Sequence, residues 1–318
     1  MRANMIYGLV VAAFALAALV LEPPLASAEY PVKRLTYMGG VNGGPEWSPD
    51  GTIIAFQHRD SGDYDIYTIP AMGGTPTRLT YWPYDQGQPS YSPDGQYIAF
   101  TWRTIPFQDD DVYIMPKDAG SYINFTNSGG YDALPAWSPK GDEIAFVSER
   151  NAPYWSHIWV QPYPSGAARQ ITFNLDAQCP SWSPDANYVA FNMWVTQSTY
   201  DVDIFTIPAA GGTPVNVTNT PGIKETAPSW SPDGQYIAYE RFDPANPNTD
   251  IYMCPASGGT PVRLTDNAKM DYWPKWSRDG SRIAFVSARD NAAGELYILC
   301  LAENVQPSSL GKIKALFR

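Results

Sequence analysis

Four-residue apolar runs recur along the chain at an interval too regular for an irregular domain. The apolar core of each is the three-residue Ile-Ala-Phe or a close variant: Ile54–Phe56, Ile98–Phe100, Ile144–Phe146, Val189–Phe191, Ile237–Tyr239 and Ile283–Phe285, with Glu143 and Arg282 as charged fourth members in two units. Ahead of each stands an aromatic residue and a Ser-Pro-Asp-Gly turn, the aromatics being Trp47, Tyr91, Trp137, Trp182, Trp230 and Trp276, spaced 44, 46, 45, 48 and 46 residues apart. A period in this range marks a repeat architecture whose units bury their apolar faces only against one another.

Within one unit the pattern predicts four strands. In the fifth, Ser229-Trp230 ends the first, and Ser231-Pro232-Asp233-Gly234 turns the chain, with proline fixing φ and glycine accepting φ > 0. Tyr236–Tyr239 is the second strand, and its unbroken apolar character predicts burial on both faces. Asp250–Met253 is the third, and Pro261–Thr265, after a Gly-Gly turn, is an outer fourth strand where proline is tolerated. Four antiparallel strands per unit describe a propeller blade. The sixth unit ends after its third strand, Glu295–Ile298, and the missing segment stands at the other end of the chain as Pro31–Thr36. The expectation is an all-β, six-bladed propeller of four-stranded antiparallel blades, closed by the N-terminal strand completing the last blade, which also caps an open edge.

The repeated Pro-X-Trp-Ser-Pro-Asp-Gly, Ile-Ala-Phe, Asp-Ile-Tyr, Gly-Gly-Thr-Pro and Arg-Leu-Thr segments resemble the TolB-like (WD40-like) propeller family over residues 31 to about 300. The resemblance implies a propeller in an extracytoplasmic setting that binds partners on its loop surface. TolB itself places an α/β domain before its propeller, for which there is no room between Ala28 and Pro31. Departures from the repeat are Tyr91 for Trp, Lys140 and Arg278 in the turns, Ala186 for Gly, and His157 and Glu295 for the strand-leading Asp.

Residues 1–28 read as a signal peptide: Arg2, an apolar run from Ile6 to Leu21, and Ala26-Ser27-Ala28 as the cleavage site. The division expected is 1–28 signal peptide, 29–302 propeller and 303–318 C-terminal tail, with the mature chain periplasmic or secreted and without a stable membrane span. Net charge is −11 with no Lys/Arg cluster, which argues against nucleic acid, since phosphate neutralisation supplies most of that affinity. Cys179, Cys254 and Cys300 show no disulfide or metal spacing and read as small apolar residues.

The two faces of such a disc are unequally decorated. Short, near-identical turns make one face. The other carries long aromatic loops, including Trp82, Trp102, Trp155, Trp194 and Trp273. Three residues before each unit's inner proline comes a polar series, Asn42, Gln86, Asp132, Glu225 and Asp271, with Asp176 offset by one in the fourth unit. This series is expected to ring the channel mouth and to draw a basic group, or to bond loop backbone. Recognition residues sit on loops held by a rigid frame, so the loop face is the candidate binding surface.

Catalytic chemistry is thin. His58 and His157 lie in different units, no Gly-X-Ser-X-Gly elbow occurs, and no nucleophile–base pair assembles, so no catalytic residue is assigned and the chain leans toward binding. The leading reading is a scaffold for a protein or peptide segment, with a glycan as second choice. The alternative, by architectural analogy, is a calcium-dependent esterase- or lactonase-type hydrolase, or a glycan-processing propeller, with Ca2+ held at the channel mouth.

Overall fold

The computed structural model describes residues 30–301 apart from 106–107, 152–154, 174–175 and 197–199. The leader and the tail predicted for 1–28 and 303–318 lie outside the described residues. Strands are the only regular elements among those described. From inside outward, the first unit consists of Val41–Trp47, Ile53–Arg59, Asp65–Pro70 and Thr77–Arg78. The second is Gln86–Tyr91, Tyr97–Ile105, Gln108–Pro116 and Ile123–Asn124. The third is Asp132–Trp137, Glu143–Ser148, His157–Pro162 and Arg169–Gln170. Ala177–Trp182, Tyr188–Trp194, Val202–Pro208 and Val215–Asn216 make the fourth, and Lys224–Trp230, Tyr236–Asp243, Asn246–Pro255 and Val262–Arg263 the fifth. In the sixth, Asp271–Trp276, Arg282–Ser287 and Glu295–Cys300 are followed outward by Val32–Arg34 from the start of the chain, antiparallel, with Val32 opposite Leu299 and Arg34 opposite Tyr297.

Six separate blades are not what forms. Four discrete four-stranded sheets are present, and the fourth and fifth repeat units share one eight-stranded sheet. The reason is local. The segment entering the fifth unit runs alongside the third strand of the fourth, where Val202 N–H donates to Ile223 O at 3.1 Å and Val202 pairs in parallel with Lys224. Elsewhere the corresponding joint makes only a single bond, such as Gln86 N–H to Tyr64 O at 2.8 Å, and the sheets stay apart. The inner strands still contact one another in a closed ring, with Asp271–Trp276 returning to Val41–Trp47.

The Ile-Ala-Phe runs supply the core. Phe56, Phe100, Phe146, Phe191, Tyr239 and Phe285, one per unit, are fully buried, as are the Ile or Val two positions before each. Each such side chain contributes roughly 1.5–3 kcal/mol by leaving water. The turns repeat as faithfully: Ser48 Oγ donates to Asp50 Oδ1 at 2.6 Å, and Gly51, at φ 69°, returns its N–H to Ser48 O at 2.9 Å. In the third unit Lys140 replaces the turn Asp, and Asp142 takes its place, accepting from Ser138 Oγ at 3.1 Å.

Candidate functional site

Each inner strand carries a bulge at the residue preceding its proline. Gly44, Gln88, Leu134, Cys179, Ala227 and Trp273 all adopt φ between 53° and 56°, and the pairing with the second strand shifts there in every unit. Five of the six are not glycine, so the conformation is strained unless held. At four of these five it is held by the neighbouring unit. Gln88 N–H donates to Gln57 Oε1 at 2.9 Å, Leu134 N–H to Thr101 Oγ1 at 3.0 Å, Ala227 N–H to Asn192 Oδ1 at 3.4 Å and Trp273 N–H to Glu240 Oε2 at 2.9 Å. These acceptors all follow the Phe or Tyr of the second strand, a position filled by Val147 and Val286 in the other two units. They form a polar ring that sequence reasoning overlooked. Its signal was a polar residue directly after an otherwise apolar buried run.

The bulges narrow the channel to a cavity of about 70 Å³ bounded by these residues, their prolines and Lys275. The Trp273 ring crosses to the first unit, where a Cβ on Gly43 would meet it at 2.0 Å. That contact explains the glycine at position 43.

The polar series expected at the channel mouth is bonded within the protein, and five of its six members are buried. Asn42, Gln86, Asp132, Glu225 and Asp271 have no exposed surface. Asp132 pairs with Arg150 at 2.7 Å, Asp271 with Arg289 at 2.9 Å and Glu225 with Arg241 at 3.4 Å. Each guanidinium also covers an aromatic ring, Trp159, Tyr297 and Tyr252 respectively. Asn42 Oδ1 meets His58 Nδ1 at 2.9 Å, Gln86 Nε2 donates to Pro83 O at 3.1 Å, and Asp176 accepts Ser156 N–H at 2.8 Å. Burial pushes the carboxyls of Asp132, Asp271 and Glu225 upward against the pull of their arginines, Glu225 to about 7. Among the described residues no three His, Cys, Asp or Glu side chains come together as metal ligands. Asp132, Glu225 and Asp271 each answer an arginine of their own unit, an arrangement that does not fit a shared central calcium.

The aromatic candidates divide. Trp102 is buried, with Nε1 donating to Pro83 O at 2.9 Å, and Trp82 stacks on it at 5.3 Å. Trp194 and Trp273 are half-buried, whereas Trp155 is exposed. Other exposed aromatics on the same face are Tyr37, Tyr81, Tyr84, Phe173 and Tyr200, of which Tyr37 and Tyr81 keep 74% and 69% of their surface. The exposed acids Asp60, Asp63, Asp266 and Asp290 stand among them. The cysteines form no disulfide; Cys254 is buried, and Cys179 lines the channel constriction. No helix among the described residues is long and apolar enough to cross a membrane.

A ring of four-stranded antiparallel units, tied shut by its own N-terminal strand and decorated on one face, defines a β-propeller. The family model described as the TolB beta propeller domain matches residues 28–154 and 152–299, and the chain belongs to that family. No curated protein sequence matches it. Among solved structures it is similar to a putative TolB from Agrobacterium tumefaciens, at 19% identity over 82% of this chain and 90% of that one, with a TM-score of 0.65. A gluconolactonase from Xanthomonas campestris is similar at 10% identity, 86% and 90% coverage and TM-score 0.63. An oligogalacturonate lyase from Vibrio parahaemolyticus follows at 12%, 88% and 96%, and 0.58. At such identities the likeness is one of fold.

Proposed function

We propose that the protein is an exported scaffold that holds a protein or peptide segment against its loop face. The observation that carries this reading is the distribution of exposed aromatics: Tyr37, Tyr81, Tyr84, Trp155, Phe173 and Tyr200 all stand on loops of one face of a rigid frame. Aromatic side chains offer large contact area at small entropic cost, and they are enriched where proteins meet. The acids Asp60, Asp63, Asp266 and Asp290 on that face favour a partner carrying a basic group. A glycan, stacking on the same rings, is the second choice. The buried polar series would serve this function by keeping the loops in place rather than by touching the partner. A central-calcium hydrolase would need those acids to leave their arginines and converge, and the pairing just described gives that reading no support.

A photo-crosslinking amino acid placed at Tyr81 or Trp155 should yield a discrete adduct with an extracytoplasmic protein of the source cells. The same probe at Tyr188, on the turn side, should not. Trp155→Ala and Tyr81→Ala should weaken capture of that partner, while Asp94→Ala and Asp233→Ala, in the opposite turns, leave it unchanged. Equal adducts from both faces would overturn the assignment. Export carries its own check: the mature protein should have the mass of a chain starting at Glu29, and an intact leader would remove the periplasmic or secreted placement.

A further inference from the structure

Where the fourth and fifth units fuse, the loop face opens a cavity of about 260 Å³ lined by Tyr200, Lys224, Thr226, Glu240, Phe242 and Thr249. Its two charged residues stand differently. Glu240 is committed, one oxygen accepting the Trp273 N–H at 2.9 Å and the other the Thr226 hydroxyl. Lys224 makes no ion pair within 4.0 Å and no hydrogen bond among the described residues, and its charge acts on Glu240 only from further off. The arginines nearest the buried acids are matched, Arg150 by Asp132, Arg241 by Glu225 and Arg289 by Asp271. In the same lining, Tyr200 and Phe242 stack with centroids 5.4 Å apart and planes at 25°, making an apolar wall.

We infer that this cavity binds the C-terminal residue of a polypeptide segment, with Lys224 taking the free carboxylate and the Tyr200–Phe242 wall taking an apolar terminal side chain. The inference rests on the peptide-scaffold reading and names the part of the partner that is read. Lys224 is positioned by backbone on two sides, pairing with Val202 in one neighbouring strand and Phe242 in the other. The backbone at Lys224 is therefore fixed in the cavity lining before any ligand arrives, which reduces the ordering cost of binding. The volume is that of one residue, not of a chain passing through. An internal segment would bring no anion to Lys224.

The test is a fluorescence-anisotropy titration of the purified protein with N-terminally labelled Gly-Gly-Phe as free acid and as C-terminal amide, with unlabelled phenylalanine as competitor. The acid should bind at least about tenfold more tightly than the amide, a ratio typical of losing one charged partner. Lys224→Met should abolish that preference, Lys224→Arg should retain it, and Phe242→Ala should weaken the acid. Thermal melts of each variant separate lost binding from lost folding. Equal binding of acid and amide would overturn the carboxylate assignment while leaving a peptide-binding face in place, and so would a Lys224→Met variant that still prefers the acid. Phenylalanine competing as well as the tripeptide acid would replace the peptide terminus by a free amino acid and overturn the proposal as stated. Failure of all three probes to bind would also overturn it, and the crosslinks at Tyr81 and Trp155 would then decide the scaffold reading independently.

Discussion

Deleting residues 30–36 is expected to destabilise the protein by about 5 kcal/mol or more and to lower its melting temperature by at least about 10 °C. The segment is small, but it closes the ring. Pro31 O accepts Cys300 N–H at 2.9 Å, and Leu35 N–H donates to Leu296 O at 2.8 Å. Leu35, only 3% exposed, packs in a core cluster with Phe56, Leu296 and Ile298 and so ties the sixth unit to the first. The largest effect comes from Glu295, which is fully buried. Its carboxylate accepts from Arg34 Nη2 at 3.0 Å, from Thr36 Oγ1 at 2.5 Å and from Gly39 N–H at 3.2 Å. Truncation removes Arg34 and Thr36 and leaves a buried acid short of partners, a situation that costs roughly 3–5 kcal/mol alone. It also uncovers the edge of Glu295–Cys300 and invites association. Glu295→Gln in the full-length chain should show a smaller loss, because an amide still accepts from Thr36. A truncated protein that melts within a few degrees of the parent, and stays monomeric, would show that the strand does not close the ring.

Stability should fall as pH rises from about 4.5 to about 7, and Glu225→Gln should remove part of that fall. Burial holds the Glu225 carboxyl at about 7, well above the ordinary 4.5, although hydrogen bonds from Thr218 and Thr220 and the charge of Arg241 act in the opposite direction. Desolvation exceeds the attraction of a guanidinium 3.4 Å away. The folded state therefore holds a proton that the unfolded chain releases near 4.5. The stabilisation from this group is fully present below that pH and is lost as pH climbs through about 7. The shift corresponds to on the order of 2–3 kcal/mol. Asp132 and Asp271 are shifted in the same direction, so the parent retains some slope in the variant. Urea titrations at pH 5 and pH 8 should find the two proteins alike at the lower pH and Glu225→Gln the more stable at the higher. Parallel curves across the range would show that Glu225 titrates normally.

Much of the fold was legible because each unit must repeat the same local solution. The Ser-Pro-Asp-Gly turns, the Ile-Ala-Phe strands and the displaced Pro31–Thr36 segment all encode contacts over one period or across the chain ends, and each appears where expected. The separation of the units was less legible. Whether neighbouring sheets stay apart depends on one backbone pairing at Val202 and Lys224, and nothing in either side chain announces it. Which of the two readings of the polar series holds was not legible for a similar reason. A period of polar residues before the inner prolines does not say whether their oxygens face water or an arginine 16 to 18 residues further along.

The sequence by itself determined an all-β propeller of repeated four-stranded units, the strand that closes it and the face that carries long aromatic loops. Periodicity and turn chemistry are local properties that survive without knowledge of packing. Only the tertiary structure decided that the fourth and fifth units fuse, that the acidic series is paired and buried, and that Gln57, Thr101, Asn192 and Glu240 hold the channel bulges. It also gathered Lys224, Glu240 and the Tyr200–Phe242 stack around one cavity. These outcomes depend on which side chains meet across unit boundaries, where a shift of an ångström separates a solvated charge from a desolvated one.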